Sequence, residues 1–225
     1  MSEAIPVVTI DGPSGSGKGT IAQWLAQELG WHLLDSGAIY RLVALAARQQ
    51  QCDFADAGAL AQAALSLDAS FDPSADGGVK TFLAGVDVSL QLRTEETGRD
   101  ASRIAALPEV REALLDRQRQ FRQQPGLVAD GRDMGTIVFP NASAKIFLNA
   151  SVECRAERRH KQLIQKGISA NLAALSEEIR ARDEADRTRT VSPLKPAPGA
   201  YILDTTDMSI QEVCAAVLTQ VKDAV

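Results

Sequence analysis

Few sequence features restrict a fold as tightly as a glycine-rich run that ends in lysine and joins an apolar strand to a helix. Here Gly12-Pro13-Ser14-Gly15-Ser16-Gly17-Lys18-Gly19-Thr20 follows Pro6-Val7-Val8-Thr9-Ile10-Asp11, a short apolar stretch stopped by Gly12 and Pro13. Behind it, Ile21, Leu25 and Leu29 recur at helical spacing from Gly17 or Lys18 onward. Strand, glycine turn and helix together are the context of a phosphate-binding loop. Its glycines let backbone N–H groups curl toward phosphate oxygens, while the helix N-terminus and the Lys18 ammonium add positive charge. The whole run Gly12–Thr20 is therefore expected to cradle the phosphates of a nucleotide.

The rest of the chain fits the same frame. Trp31–Asp35 predicts a second strand, and Ser36 is placed to cap a helix carrying Tyr40, Arg41 and Leu45. Leu127–Asp130, Ala144–Leu148 and Ala200–Asp204 predict three more strands, and Ser209 to about Val221 a closing helix. Strands alternating with amphipathic helices give an α/β fold: a P-loop NTPase-like parallel five-stranded sheet flanked by helices. Between Asp72 and Arg93 the pattern changes to short alternating runs around Asp76-Gly77-Gly78 and Ala84-Gly85, which predicts a small antiparallel β insertion. Pro108 then opens a helix with Val110, Leu114 and Phe121 on one face, ending near Pro125-Gly126. The expected organisation is one P-loop domain. It comprises core 1–65, insertion about 66–105, core 106–150, a helical segment about 151–170 punctuated by Gly167, and core 171–225.

Charge and cysteine usage narrow the function class. The net charge of -5 and pI of about 5.1 oppose a polynucleotide track, despite several arginine clusters. Cys52, Cys154 and Cys214 form no CxxC or Cys/His pattern, so neither a disulfide framework nor a zinc site is expected. The start Met1-Ser2-Glu3-Ala4-Ile5-Pro6 has no basic region, and no stretch approaches the roughly 20 apolar residues of a membrane span. The expectation is a cytoplasmic protein, and nothing in the sequence demands more than a monomer.

The position after the loop lysine usually holds Ser or Thr, whose hydroxyl binds Mg2+; here it is Gly19, with Thr20 one later. Mg2+ accompanying ATP is then expected to be held largely through water and carboxylates. Asp130, Asp11 and Asp35 are candidates, each equally readable as a carboxylate capping a turn at a strand end. None is fixed as a direct ligand.

The Gly-Lys-Gly-Thr form resembles the nucleoside monophosphate kinases, and three further segments narrow the resemblance to the bacterial-type cytidylate kinases. They are Asp35-Ser36-Gly37-Ala38-Ile39-Tyr40-Arg41, Asp130-Gly131-Arg132-Asp133-Met134-Gly135-Thr136 and Arg182-Asp183-Glu184-Ala185-Asp186-Arg187-Thr188-Arg189. Asp183-Glu184-Ala185 varies the family's more charged run but leaves the key positions filled. With the β insertion, the match covers nearly the whole chain. The resemblance implies transfer of the γ-phosphoryl group of ATP to CMP or dCMP. It further implies that Arg41 and Arg132 hold the acceptor's 5′-phosphate and that Tyr40, beside Arg41, belongs to the acceptor site. Ser36, Ser102, Arg111 and Asp133 would face the cytosine, with Arg189 nearby, and Arg182 and Asp186 would sit at the ribose.

The chemistry agrees. An acceptor monophosphate carries about two negative charges, so its attack on ATP sets anion against anion, and guanidinium groups offset that repulsion. Arg182, Asp186 and Arg189 fall at i, i+4 and i+7, a spacing that projects them from one helical face. For a lone helix the plainer reading is a salt-bridged solvated face; the accompanying motifs reverse that preference. The resemblance implies that the helical segment about 151–170 is a lid over ATP, with Gly167 at its far hinge; Arg155, Arg158 and Arg159 lie in it and are candidates, with Lys18 and Arg132, to stabilise the moving phosphoryl group. The plainer alternative there is a basic helix balanced by Glu153 and Glu157.

Two alternatives stay open. One is a P-loop kinase of another small metabolite or nucleotide, of the UMP or shikimate type. The other is a slowly hydrolysing nucleotide switch, which calls for an NKxD segment and a hydroxyl directly after the loop lysine; the sequence has neither.

Overall fold

The computed structural model describes residues 5–73, 79–165, 167 and 169–225. Residues 1–4 and the expected turn at Asp76-Gly77-Gly78 lie outside them. In chain order the elements are β1 (Val7–Asp11), α1 (Lys18–Leu29), β2 (His32–Asp35), α2 (Ser36–Gln49) and α3 (Ala57–Leu65). Next come β3 (Ala69–Pro73), β4 (Val79–Leu83), β5 (Val86–Asp87), α4 (Glu95–Ile104) and α5 (Pro108–Arg119). The chain closes with β6 (Leu127–Gly131), β7 (Ala144–Asn149), α6 (Val152–Gln165), α7 (Leu172–Thr188), β8 (Tyr201–Asp204) and α8 (Ile210–Lys222). Contacts divide it into two compact units, Met1–Asp35 with Arg119–Val225, and Ser36–Gln118.

The first unit is the expected α/β layer. Its sheet runs β2-β6-β1-β7-β8, all parallel, with β1 and β6 buried along their whole length. Val8, Ile10, Val128, Ile146 and Leu148 of the sheet pack with Ile21 and Leu25 of α1 and with Val213, Val217 and Val221 of α8. Those helical residues recur at i and i+4, so each helix buries one stripe and leaves the other side polar. Ser209 caps α8, and Glu212 returns the bond to the Ser209 backbone. Register sets Ile10 beside Asp130, Asp130 beside Asp35, and Asp11 beside Gly131. The three acids thus gather at the carboxyl edge of adjacent strands, where open parallel sheets bind their ligands.

The second unit holds α2 packed on α4 and the antiparallel sheet β3-β4-β5, the β insertion expected from the alternating runs. Arg48 ties α2 to α4 through Glu96 at 2.9 Å and through Asp100.

Three element ends differ from expectation. Trp31 is not in β2, because its N–H donates to the Ala26 carbonyl in a Schellman turn around left-handed Gly30. Helix α5 stops at Arg119 and leaves Phe121 outside, since the Arg119 carbonyl accepts the Arg122 N–H in a tight turn. Ser36 does not cap α2; it is the helix's first residue, and its hydroxyl donates to Gln118 Oε1 at 2.8 Å.

Candidate active site

The glycine run forms the turn from β1 to α1. Gly12 has a φ of 156°, and a Cβ there would lie 2.1 Å from the Leu148 carbonyl oxygen, so only glycine fits. Gly17, at the start of α1, makes no side-chain cap, which leaves the first-turn N–H groups to an incoming anion. Lys18 is buried, and its Nζ donates to the Pro13 carbonyl at 3.2 Å, bending the ammonium back over the loop. Burial pushes its pKa below the ordinary lysine range, and the nearby Arg132 charge lowers it further; Asp130 opposes this, and Arg182 adds to it. The Ser16 hydroxyl is buried and has no hydrogen-bond partner among the described residues.

The strand-end acids are not equivalent. Asp11 accepts the N–H groups of Met134 at 2.9 Å and Gly135 at 2.8 Å, fixing the short π-helical turn Met134–Val138. Burial pushes its pKa up to about 6, against the pull of those two bonds. Asp130 is also raised by burial, partly offset by Lys18. Its Oδ1 is buried without a partner among the described residues, and a Cβ on Gly19 would come within 3.2 Å of its Oδ2. The residue after the loop lysine is therefore small where the carboxylate approaches. Among the described residues, no group of three His, Cys, Asp or Glu could by itself cage a metal ion. Asp130 fits a divalent ion that arrives with phosphate oxygens and needs only one protein carboxylate.

Arg132 Nε donates to Asp186 Oδ2 of α7 at 3.0 Å, and Asp133 beside it is buried. Through that bond α7 joins the same cluster, and the Arg182 charge on the same helix also lowers the Lys18 pKa. Arg189 departs from the expected helical face. Helix α7 ends at Thr188, and Arg189 follows as its cap with an extended ψ of 138°, its Nε donating to Ser192 O at 2.5 Å.

On α6, Arg155 is buried and Arg158 half-buried, both bonded to loop carbonyls as detailed below; Arg159 is partly exposed. Glu153 pairs with Arg180 of α7 at 2.8 Å.

In the second unit, the Arg111 guanidinium lies 5.7 Å from the centroid of the Tyr40 ring, and its Nη1 donates to Ala105 O. Arg41 Nη1 donates to Leu92 O at 2.5 Å, and Ser102 is half-buried on α4. Sequence reasoning names Asp183 only within its charged segment, without a role, and passes over Thr205 and Gln118; all three are buried. Asp183 does leave a signal. Leu175 and Ile179 begin a buried i, i+4 stripe that Asp183 continues, and an acid on such a stripe needs a cation.

A family model described as cytidylate kinase matches residues 8–223. The curated cytidylate kinase of Photobacterium profundum is 57% identical over 224 residues, covering 100% of this chain and 98% of the relative. That of Aeromonas hydrophila subsp. hydrophila is 59% identical, covering 97% of this chain and 94% of its own. That of Shewanella denitrificans is 55% identical with both chains fully covered.

Proposed function

The chain belongs to the cytidylate kinase family, and on that footing we propose that it transfers the γ-phosphoryl group of ATP to CMP or dCMP, giving ADP and CDP or dCDP. One observation carries this beyond the family match. The buried Lys18 ammonium sits over an open helix N-terminus with the charges of Arg132 and Arg182 bearing on it, an arrangement suited to a polyanion. A kinase acting on UMP or a shikimate-type acceptor is the less favoured reading.

The nucleophile is an already ionised phosphate oxygen, so no general base is required. Catalysis rests on positioning and charge compensation, with water excluded around the transferring group. We assign Lys18 and the Gly12–Thr20 backbone to the ATP phosphates, and Arg41 and Arg132 to the acceptor phosphate. Arg132 is held by Asp186, which pre-orients its planar fork. Ser36, Ser102, Arg111 and Asp133 are assigned to the cytosine, with Arg189 nearby, Tyr40 to the acceptor site, and Arg182 and Asp186 to the ribose. Asp133 as a carboxylate accepts from cytosine's amino group and repels uracil's carbonyl, which favours cytosine. A divalent ion, taken to be Mg2+, would be held through Asp130 and offset charge on the phosphates. We also take the protein to be cytoplasmic and a monomer, the latter checked by gel filtration near 24.0 kDa; no described helix is long and apolar enough to cross a membrane.

An ADP-release assay across CMP, dCMP, UMP, AMP and GMP tests the substrate. Preference for CMP and dCMP is expected, and preference for a purine nucleotide overturns it. Arg132→Ala raises the KM for CMP and lowers kcat, together about 10- to 100-fold, from the loss of a charged hydrogen bond to the reacting phosphate. Unchanged kinetics would remove Arg132 from the site.

A further inference from the structure

Two guanidinium groups one turn apart on α6 meet the phosphate loop through its carbonyls. Arg155 Nη1 donates to Ser14 O at 3.0 Å, and Arg158 Nη1 donates to Ser16 O at 3.3 Å. A trans peptide is planar, with its C=O and N–H on opposite sides. Holding the Ser14 oxygen toward α6 therefore turns the Gly15 N–H the other way, and holding the Ser16 oxygen does the same for the Gly17 N–H. These are amide hydrogens of the loop that must face phosphate if it is to bind one.

We propose that Arg155 and Arg158 are positioning residues that orient the phosphate loop for ATP, and that Asp183 is the residue that holds Arg155 in that role. The inference rests on the kinase reading for its substrate and on the geometry for its mechanism. Most of the Arg155 guanidinium's donors are already committed. Nε donates to Ala150 O at 2.9 Å, and Nη1 and Nη2 make a fork on Asp183 at 3.0 and 2.5 Å, besides the Ser14 bond. Four of its five N–H groups are used. The side chain is 3% exposed, which leaves it little to offer a phosphoryl group in transit. Arg158 is anchored on its other side at Thr205, with Nη2 on the carbonyl at 2.6 Å and Nη1 on the hydroxyl at 3.2 Å. Thr205 itself donates to Asn149 O, at the end of β7. Each guanidinium is thus a rigid strut with the loop at one end and a buried fixed point at the other.

Asp183 gives the arrangement a second consequence. It lies on α7 next to Arg182 and one turn before Asp186, the partner of Arg132. The order of the donor loop and the placement of these acceptor-side groups then depend on the same helix.

The test separates binding from chemistry. Affinity for ATP is measured by calorimetry without acceptor, and steady-state kinetics with CMP are measured on the same Arg155→Lys, Asp183→Asn and Arg158→Met proteins. For a folded variant we expect the ATP dissociation constant to rise about tenfold or more, the loss of one charge-assisted hydrogen bond. KM for CMP should move less than KM for ATP. Arg158→Met keeps the assay meaningful if the buried pair proves essential for folding, since it leaves Arg155 and Asp183 intact. A fall in kcat with unchanged ATP affinity would instead make these arginines transition-state groups and overturn the proposal. Unchanged ATP affinity with unchanged kcat would also overturn it. If wild-type protein binds ATP but does not phosphorylate CMP, the substrate assignment fails, and the calorimetry still decides the role of the struts.

Discussion

Among the described residues, two ion pairs that join helices α6 and α7 show the same chemistry doing different things. At the inner place Arg155 and Asp183 are 3% and 6% exposed, with fork geometry and every contact fixed by neighbours. At the outer place Arg180 reaches Glu153 at 2.8 Å and Glu177 at 2.6 Å, with all three side chains about half or more exposed. Between them lies a small apolar seam of Ala156, Leu175 and Ile179. In water an ion pair gains little, because solvent already satisfied both charges; in a buried site each partner is indispensable to the other. Burial, not the presence of an arginine and an acid, decides which pair the protein depends on.

The hardest way to break this contrast is Asp183→Ala. It leaves a guanidinium buried without its counter-charge, and the expected loss is about 3–5 kcal/mol of unfolding free energy, read from a denaturant titration. The double variant Arg155→Met with Asp183→Leu removes both charges and is expected to recover much of that loss. It should not recover ATP affinity, because Ser14 O then loses the Arg155 donor. If Asp183→Ala costs no more than a surface substitution, the inner pair is not what it looks like.

The same contrast explains what can be read from the sequence. The loop and its strands are legible because each is a local pattern, glycines and a lysine at set spacing between an apolar run and an i, i+4 stripe. The five strands and the β insertion follow from similar runs. What is not legible depends on partners far along the chain. The sequence offers Arg155 as a lid candidate and hides its bonds, because Ser14 lies 141 positions away and Asp183 lies 28 positions away. The spacing of Arg182, Asp186 and Arg189 draws attention to one face of α7 and away from Asp183 on the buried stripe. Ser36 has the residue type of a cap, and only the fold brings Gln118 to its hydroxyl.

Asp11 sharpens the comparison, because it is as buried as Asp183 but its carboxylate accepts from two backbone N–H groups where Asp183 meets a guanidinium. Burial raises its pKa from 3.8 to about 6, so the folded state binds its proton more tightly than the unfolded chain does. The stabilising contribution is fully present below about pH 4 and lost as the pH rises through about 6, roughly 3 kcal/mol in all. Measured between pH 4 and 7, wild-type stability should fall relative to Asp11→Asn. Parallel pH profiles would mean that the carboxylate is better satisfied than two amide bonds allow. The outer acid Glu153 has the opposite sign. Its own backbone hydrogen bond and then Arg180 hold its pKa below the usual value, so its small contribution is lost as the pH falls.

The smallest effect belongs to Arg180→Ala. Its side chain is 48% exposed, and its partners Glu153 and Glu177 remain hydrated when it is gone. The expected loss of stability is close to the smallest that a denaturant titration resolves, and it shrinks further as salt is raised. KM for ATP should not change, since nothing in the outer pair touches the loop. A loss as large as that of Asp183→Ala, or one insensitive to salt, would mean that the α6–α7 seam transmits the outer contact inward. The two places would then have to be treated as one coupled network rather than as a buried strut and a solvated tie.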